Sequence, residues 1–229
     1  MYVPAHFAAG DLTEVAAFVD RAGAADLVTF DGTRPISTLL PVIWDRSAGP
    51  HGRLIGHMAR SNPQWSTAAT AVPALAIVHG PQAYISPSWY QSTREHGRTV
   101  PTWNYTTVHL TGPVTFRHDT GWLRDVVTRL TERHEAGRPG RWWVSDAAER
   151  FVEGQLRAIV GVELLVERIE AKDKLSQNRS AQDRAGVIAA LRAEPADGSR
   201  AIADLMAARE QLQNGEFAGQ VVQPERAER

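Results

Sequence analysis

Between residues 26 and 116 the chain is a succession of β-forming segments separated by turns rather than by long helices. The segments are enriched in Val, Ile, Thr and aromatic residues, which favour extended strands. They are DLVTF (26–30), PISTLLPVIWD (35–45), RLIGHMA (53–59), ALAIVHG (74–80), QAYIS (82–86) and TWNYTTVHLTGPVTF (102–116), with a later apolar segment, AIVGVELLVERIEA (158–171). Strands that arrive as a run, with helices before and after them, indicate an α+β sheet or barrel rather than a parallel βαβ array.

Helical spacing of apolar residues surrounds this β-rich region. Asp11 and Glu14 form a capping-box pattern at the start of a first helix, and further helices are predicted at about 122–135 and 146–156. Two final helices are predicted at 181–191 and 201–212, followed by a loose tail from Gly215. The simplest partition is one α+β, mostly β domain over residues 1–192, followed by a C-terminal helix and loose tail over 193–229.

The composition excludes several kinds of chemistry. The chain has 229 residues and no cysteine, which rules out disulfides, thiolate nucleophiles and cysteine-ligated metal sites. Its eight histidines lack metal-site spacing, so no metal is predicted, and the common nucleotide-binding and hydrolase motifs are missing. No stretch approaches about 18 apolar residues and the N-terminus lacks a secretion signal, so we expect no membrane partner and a cytoplasmic location.

Polar residues follow the strand-like segment in GHMARSNPQW (56–65). A cation at a strand end, followed by a proline that fits the first turn of a helix, is a geometry suited to gripping a phosphate. The candidate residues here are His57, Arg60, Ser61 and Asn62. A simpler alternative is that Asn62 caps a short helix while Arg60 is solvated.

A second polar cluster, KDKLSQNRS (172–180), follows the last long strand-like segment. Its cations, hydroxyls and amides suit an anionic ligand with several acceptor oxygens, although a solvated turn before a helix also explains them. The aromatic stretches SPSWY (86–90) and VPTWNY (100–105) fit ligand stacking, core packing or a dimer interface. Together these pieces match the needs of a phosphorylated flat-ring cofactor: cations for phosphate, amides for ring polar atoms and aromatics for stacking.

Six stretches carry a resemblance to a known family. They are MYVPAHF (1–7), TLLPVIWD (38–45), LIGHMARSNPQW (54–65), AYISPSWY (83–90), VPTWNYTTVHLTG (100–112) and EAKDKLSQNRS (170–180). In this order they resemble the PaiB-type FMN-binding negative transcriptional regulators, relatives of the pyridoxamine-phosphate-oxidase-like flavin proteins. The resemblance covers residues 1 to about 192. It implies an FMN-binding split β-barrel with flanking helices and a C-terminal helical extension, assembled as a homodimer with FMN between the subunits.

The resemblance also implies which residues contact FMN. Phosphate and ribityl partners are expected among the 57–62 cluster and in the KLSQN signature, the flavin ring is expected beside the strand at 37–39, and an aromatic group is expected from across the dimer. The implied residues are Ser37, Thr38, Leu39, His57, Arg60, Ser61, Asn62, Trp103, Asn104, Tyr105, Lys174, Ser176, Gln177 and Asn178.

Three functions stay open at this point. The first is a flavin-dependent oxidoreductase that takes electrons from a small-molecule donor or substrate. The second is a transcriptional regulator, although DNA binding is not supported by charge: the net charge is −1, and from Glu170 onward ten acidic residues face nine basic ones. The third is a binding module for another flat ligand such as haem.

Overall fold

A computed structural model of the chain describes residues 1–69 and 71–218. The strands are β1 (Ala24–Phe30), β2 (Pro35–Asp45), β3 (Arg53–Ala59), β4 (Ala74–Ile85), β5 (Thr102–Gly112), β6 (Val114–Arg117), β7 (Ile159–Leu165) and β8 (Arg168–Lys174). The helices are α1 (Leu12–Ala22), α2 (Gln64–Thr67), α3 (Gln91–His96), α4 (Thr120–Glu135), α5 (Glu149–Arg157), α6 (Ala181–Ala193) and α7 (Asp197–Ala218). Short 3₁₀ turns occupy Ala5–Phe7, Pro87–Trp89 and Val144–Asp146.

The strands form one sheet in the order β6-β7-β3-β2-β1-β4-β5-β8. Neighbours β1 and β2, β1 and β4, β2 and β3, β3 and β7, and β6 and β7 are antiparallel. The turn-rich stretch 45–52 joins β2 to β3 as a hairpin, as its Gly and Pro content predicts. An antiparallel sheet with helices before and after it confirms the predicted α+β class.

The strand limits differ from the predicted ones at three places. The segments 74–80 and 82–86 are a single strand, β4, that runs through Pro81. The segment 102–116 is two strands, β5 and β6, because Pro113 separates them. The segment 158–171 likewise divides into β7 and β8. Composition identifies residues that favour strands. It does not distinguish a proline that one strand continues through, such as Pro81, from a proline that separates two strands, such as Pro113.

The chain divides into two compact units, and the division falls inside β4, β5 and β8. The first unit contains Met1–Val3, Ala9–Gly80 and Thr107–Ala171, and the second contains Pro4–Ala8, Pro81–Thr106 and the chain from Lys172 onward. This division does not coincide with the boundary predicted at residue 192, which stays a prediction. The tail predicted to be loose from Gly215 begins as helix through Ala218, and residues 219–229 lie outside the described residues.

The core of the first unit lies on the inner face of its strands. Alternate residues of β1, β2 and β3 pack there, among them Leu27, Leu40, Val42, Leu54 and Met58. On the other face of β3, Ile55 packs with Val126 and Leu130 of α4. Gly161 of β7 lets the Trp122 ring approach, since a Cβ there would lie 2.2 Å from Trp122 Cζ3.

The second unit has its own apolar cluster, to which α6 and α7 both contribute. Ile85, Tyr90, Leu175, Val187 and Leu191 are among its fully or nearly fully buried members. A close contact between α6 and the Pro87–Trp89 turn needs a glycine, because a Cβ on Gly186 would lie 2.3 Å from the Trp89 carbonyl oxygen. None of the described helices combines the length and hydropathy needed to cross a bilayer.

Candidate functional site

Arg60 follows the end of β3, and its guanidinium group is largely committed to backbone oxygens. Nε donates to the carbonyl of Arg157 at 2.7 Å, and Nη2 donates to the carbonyl of Ile159 at 2.8 Å. Nη1 lies 3.3 Å from His118 Nδ1. Arg60 is thus partly solvated, as the simpler alternative predicts, but its guanidinium also bonds the backbone. The side chain fastens the end of β3 to the start of β7, and its phosphate role stays a prediction.

Asn62 is part of a hydrogen-bond chain that reaches into the core of the first unit. Its Oδ1 accepts from the Gln64 backbone N–H at 3.0 Å. The N-cap of α2 is nevertheless Pro63, and no side chain caps this helix, so the predicted capping by Asn62 is wrong. Its Nδ2 donates to Thr38 Oγ1 at 2.9 Å, and that hydroxyl donates to Gln64 Oε1 at 2.5 Å. Thr38 and Asn62, predicted as separate parts of the site, are thus in direct contact, and each also bonds Gln64.

Ser37 and Leu39 lie on the opposite face of β2 from Thr38, because successive side chains of a strand alternate. Both are exposed, and Leu39 retains 66% of its accessible surface. Their partners across the antiparallel ladder are Val28 and Asp26 of β1. The 37–39 segment therefore does not act as one wall: Thr38 faces Gln64, while Ser37 and Leu39 belong to an uncovered sheet face.

His57 lies in a different layer from Thr38 and Asn62. It pairs with Gly161 across β3 and β7 and shares the β3 face of Ile55, which packs against α4. Burial lowers the pKa of its imidazole below the usual 6.5, which favours the neutral form near neutral pH. Its buried Nδ1 has no hydrogen-bond partner within the described residues, and Ser61 is exposed.

In the second unit, Lys174 stands at the end of β8 against the start of β5. Its Nζ donates to Thr102 Oγ1 at 2.5 Å and to the Trp103 carbonyl at 2.8 Å. Partial burial lowers the pKa of the ammonium group, and nearby Tyr105 acts in the opposite direction. The ammonium group is therefore held in place by hydrogen bonds to the neighbouring strand β5.

The residues after Lys174 form a closed turn. Gln177 Oε1 accepts from the Leu175 backbone N–H at 2.7 Å, and Gln177 Nε2 donates to the Asp173 carbonyl at 2.5 Å. Ser176 has a φ of +63°, a left-handed conformation that few residues other than glycine adopt. Asn178 is exposed. A merely solvated turn does not need these internal hydrogen bonds.

Asn104 and Ser176 form a buried pair behind this turn. Asn104 is fully buried, and its Nδ2 donates to Ser176 Oγ at 3.0 Å. Ser176 Oγ also lies 3.2 Å from Asn104 Oδ1, in position to donate to it. Both side chains thus satisfy each other, which leaves them little capacity to contact a ligand directly.

Aromatic rings occupy the outward face of the strands in the second unit. Trp103 and Tyr84 are about half exposed and contact each other edge-to-face at 6.3 Å, and Trp103 Nε1 donates to Gln82 Oε1 at 3.0 Å. Tyr105 alternates onto the same face as Trp103, and the Lys172 ammonium lies 5.3 Å from its ring centre. Trp103 and Tyr105 of β5 thus lie beside Lys172 and Lys174 of the neighbouring strand β8, and we call this combination of aromatic rings and cations the aromatic–cation face.

The sequence did not identify two residues that hold these groups in place. Gln64 links Thr38 and Asn62, and Thr102 accepts from Lys174. Arg179, whose guanidinium carbon lies 4.7 Å from the Tyr90 ring centre, was noted only as part of the polar cluster. Gln64 lies inside the SNPQW motif, but nothing in its residue type distinguishes a fully buried glutamine from an exposed one.

The family of the chain follows from comparison with known proteins. A family model described as "Putative FMN-binding domain" matches residues 1–168. The chain belongs to this family. A relative of this FMN-binding family, the protease synthase and sporulation protein PAI 2 of Bacillus subtilis, is 35% identical over 206 residues, which cover 90% of this chain and 96% of the relative. The predicted PaiB-type resemblance is therefore confirmed.

Solved structures agree on the fold of this FMN-binding family member. The flavocytochrome Anf3 from Azotobacter vinelandii matches 80% of this chain and 78% of its own, with a TM-score of 0.54 and 14% identity. The FAD and heme binding protein from Mycobacterium smegmatis matches 77% and 78%, with a TM-score of 0.53 and 14% identity. At such identities the likeness shows the fold alone, and the predicted split barrel with flanking helices is confirmed.

Proposed function

We propose that the protein binds FMN and acts as a flavin-dependent oxidoreductase, assembled as a homodimer. The observation that carries the proposal is the aromatic–cation face of a chain that belongs to an FMN-binding family. A fixed ammonium group suits a phosphate, and exposed aromatic rings suit a flat isoalloxazine. These two chemical features lie within one unit, on neighbouring strands.

The residues present fit the cofactor in chemical type. Lys174 would meet the phosphate, and Trp103 and Tyr105 would offer ring surface. When bound, the flavin supplies the electron-transfer chemistry. The protein would orient the ring, hold the phosphate and limit the access of water.

A regulatory function is the alternative, and it rests on the family resemblance of the sequence. The name of the relative PAI 2 refers to protease synthase and sporulation, and this name describes the Bacillus subtilis protein. The balanced charge of this chain gives no basic stripe for DNA. A flavin whose redox state alters a partner contact would reconcile the two roles, so cofactor binding is the first property to measure.

The purified protein is expected to retain FMN through dialysis and to show the absorption bands of oxidised flavin. Riboflavin, which lacks the phosphate, is expected to bind at least tenfold more weakly because it forms no charge-assisted hydrogen bond. Reduction of the bound flavin under anaerobic conditions by NADH, NADPH or a reduced deazaflavin would support the oxidoreductase. A colourless protein with no affinity for either flavin contradicts the proposal, and a Soret band after haem addition favours the haem-binding alternative.

The homodimer is proposed from the uncovered sheet face of the first unit. Leu39 is the most exposed apolar side chain on it, and the partly exposed Val28, Leu75 and Ile77 lie on the same face of β1 and β4. Exposed apolar side chains grouped on a sheet, here beside the Asp26–His79 contact of the same face, are typical of an interface with a polar portion. A second copy of this chain is the occupant that the family resemblance implies.

Leu39→Arg is expected to raise the dimer dissociation constant at least tenfold, because a charge then replaces an apolar contact in the covered region. Sedimentation velocity over a concentration series measures this shift directly. Phe151→Arg is the matched control, since Phe151 is 60% exposed but lies on α5. A monomeric parent protein, or equal weakening by both substitutions, would contradict this choice of interface.

A further inference from the structure

We propose that the buried Asn104–Ser176 hydrogen bond positions Lys174 for the phosphate of a bound flavin. The KLSQN segment then recognises phosphate through the Lys174 ammonium, while Ser176 and Gln177 act through that lysine and do not touch the ligand. This inference rests on the proposed FMN binding and deepens it, because it assigns positioning roles to residues that the sequence resemblance makes direct contacts.

Residues 174–176 are fastened to residues 102–104 by three contacts. Lys174 Nζ bonds Thr102 Oγ1 and the Trp103 carbonyl, and Ser176 bonds the side chain of Asn104. The first two contacts fix the cation, and the third fixes the backbone two residues later. Because Asn104 is fully buried, the third contact is shielded from water and sets the register between the turn and β5.

A count of donors leaves Lys174 with capacity for a ligand. An ammonium group has three N–H donors, and the structure gives two of them protein acceptors. The third has no hydrogen-bond acceptor among the residues that the structure describes and can serve a ligand. Neither acceptor is a carboxylate, so the two hydrogen bonds orient the cation without neutralising its charge, and a phosphate would meet a full positive charge.

The turn contains an unfavourable backbone conformation at Ser176, and the contact with Asn104 helps to hold it. Ser176 adopts a left-handed backbone, which is unfavourable for a residue other than glycine. Gln177 closes the turn through the Leu175 N–H and the Asp173 carbonyl. Loss of the Ser176 hydroxyl would remove the tie that offsets this strain, and the Lys174 ammonium would then sample more orientations.

The test compares the affinities for FMN and riboflavin, whose difference is the phosphate. In the wild-type protein the ratio of the riboflavin Kd to the FMN Kd reports phosphate recognition. Lys174→Met is expected to lower this ratio at least tenfold with little change in the riboflavin Kd, because only the charge-assisted contact is lost. Ser176→Ala is expected to lower the ratio about threefold to tenfold, since the lysine remains but is less well placed.

The double variant decides whether Ser176 acts through Lys174. In a Lys174→Met background, Ser176→Ala is expected to leave the ratio unchanged, whereas an independent phosphate contact would lower it further. Asn104→Ser gives a second route to the same loss should Ser176→Ala unfold the protein, and far-UV circular dichroism checks each variant. Gln182→Ala, an exposed change on α6, is the control and is expected to leave both affinities unchanged.

The outcomes separate this inference from the proposed function. Equal weakening of FMN and riboflavin by Ser176→Ala would make the buried pair structural only and overturn the inference, while leaving FMN binding intact. A further fall in the ratio in the double variant would overturn it in favour of direct contact by Ser176. A wild-type protein that binds neither flavin would overturn the proposed function together with the inference.

Discussion

Replacing Gln64 by Ala is expected to lower the free energy of unfolding by about 3 kcal/mol. Gln64 is fully buried, and its Nε2 donates to the carbonyls of Leu27 and Ile36 and lies 3.1 Å from Thr29 Oγ1. The truncation leaves these buried acceptors, and the Thr38 hydroxyl, without their partner. Urea unfolding followed by tryptophan fluorescence measures the loss.

The size of the effect follows from where Gln64 lies in the β-ladder. Leu27 pairs with Thr38, and Thr29 pairs with Ile36, so the glutamine bridges two alternate positions of the β1–β2 pair that share one face. Truncation of this one buried side chain therefore leaves polar groups on both strands without a hydrogen-bond partner. Unsatisfied buried groups are costly because they lost their water on folding and gain nothing in return.

Two further variants sharpen this prediction. Gln64→Glu keeps the shape but replaces the Nε2 donor by a carboxylate oxygen that faces two carbonyls, so we expect it to be at least as damaging at neutral pH. Gln182→Ala makes the same truncation at an exposed position and is expected to cost less than about 0.5 kcal/mol. Equal stability losses at positions 64 and 182 would contradict the buried-network explanation.

The sequence predicted the sheet and the family motifs because both are local patterns. Strand composition identified every β segment, and the SNPQW and KLSQN motifs lie at strand ends, as expected from their polar residues. The strands β5 and β6, and β7 and β8, merged in the prediction because a break of one or two residues does not change the composition. Local signals therefore gave the elements more reliably than their limits.

The candidate site could be predicted only in part, because the orientation of each side chain depends on strand register. Ser37 and Thr38 are neighbours in sequence, yet they lie on opposite faces of β2. Asn104 is buried against Ser176, a residue 72 positions away, and no local pattern announces that contact. Arg60 is held by carbonyls near residue 158. Contacts between residues far apart in sequence therefore decide which polar side chains are bonded within the protein and which remain able to contact a ligand.

Asp183 is expected to give the second unit an acid-sensitive contact. Its side chain is 3% exposed and accepts from the Ser92 backbone N–H at 2.9 Å and the Ser92 hydroxyl at 2.8 Å, which ties α3 to α6. Burial raises the pKa of the carboxyl group, but the hydrogen bonds from Ser92 and Ser180 and the charge of Arg179 outweigh it, so the pKa lies below the ordinary 3.8.

Asp183→Asn is accordingly expected to lower the free energy of unfolding by about 2 kcal/mol at pH 7, since an amide offers one acceptor where the carboxylate offers two. Because the folded-state pKa is depressed, the wild-type contribution is fully present above the unfolded-state pKa and is lost as the pH falls through the folded value. The difference between wild type and variant should thus narrow below about pH 4. Urea unfolding at several pH values measures it, with Asp197→Asn, an exposed first-turn change on α7, as the control. A difference that stays constant from pH 7 to pH 3 would show that Asp183 stabilises the fold by shape rather than by charge.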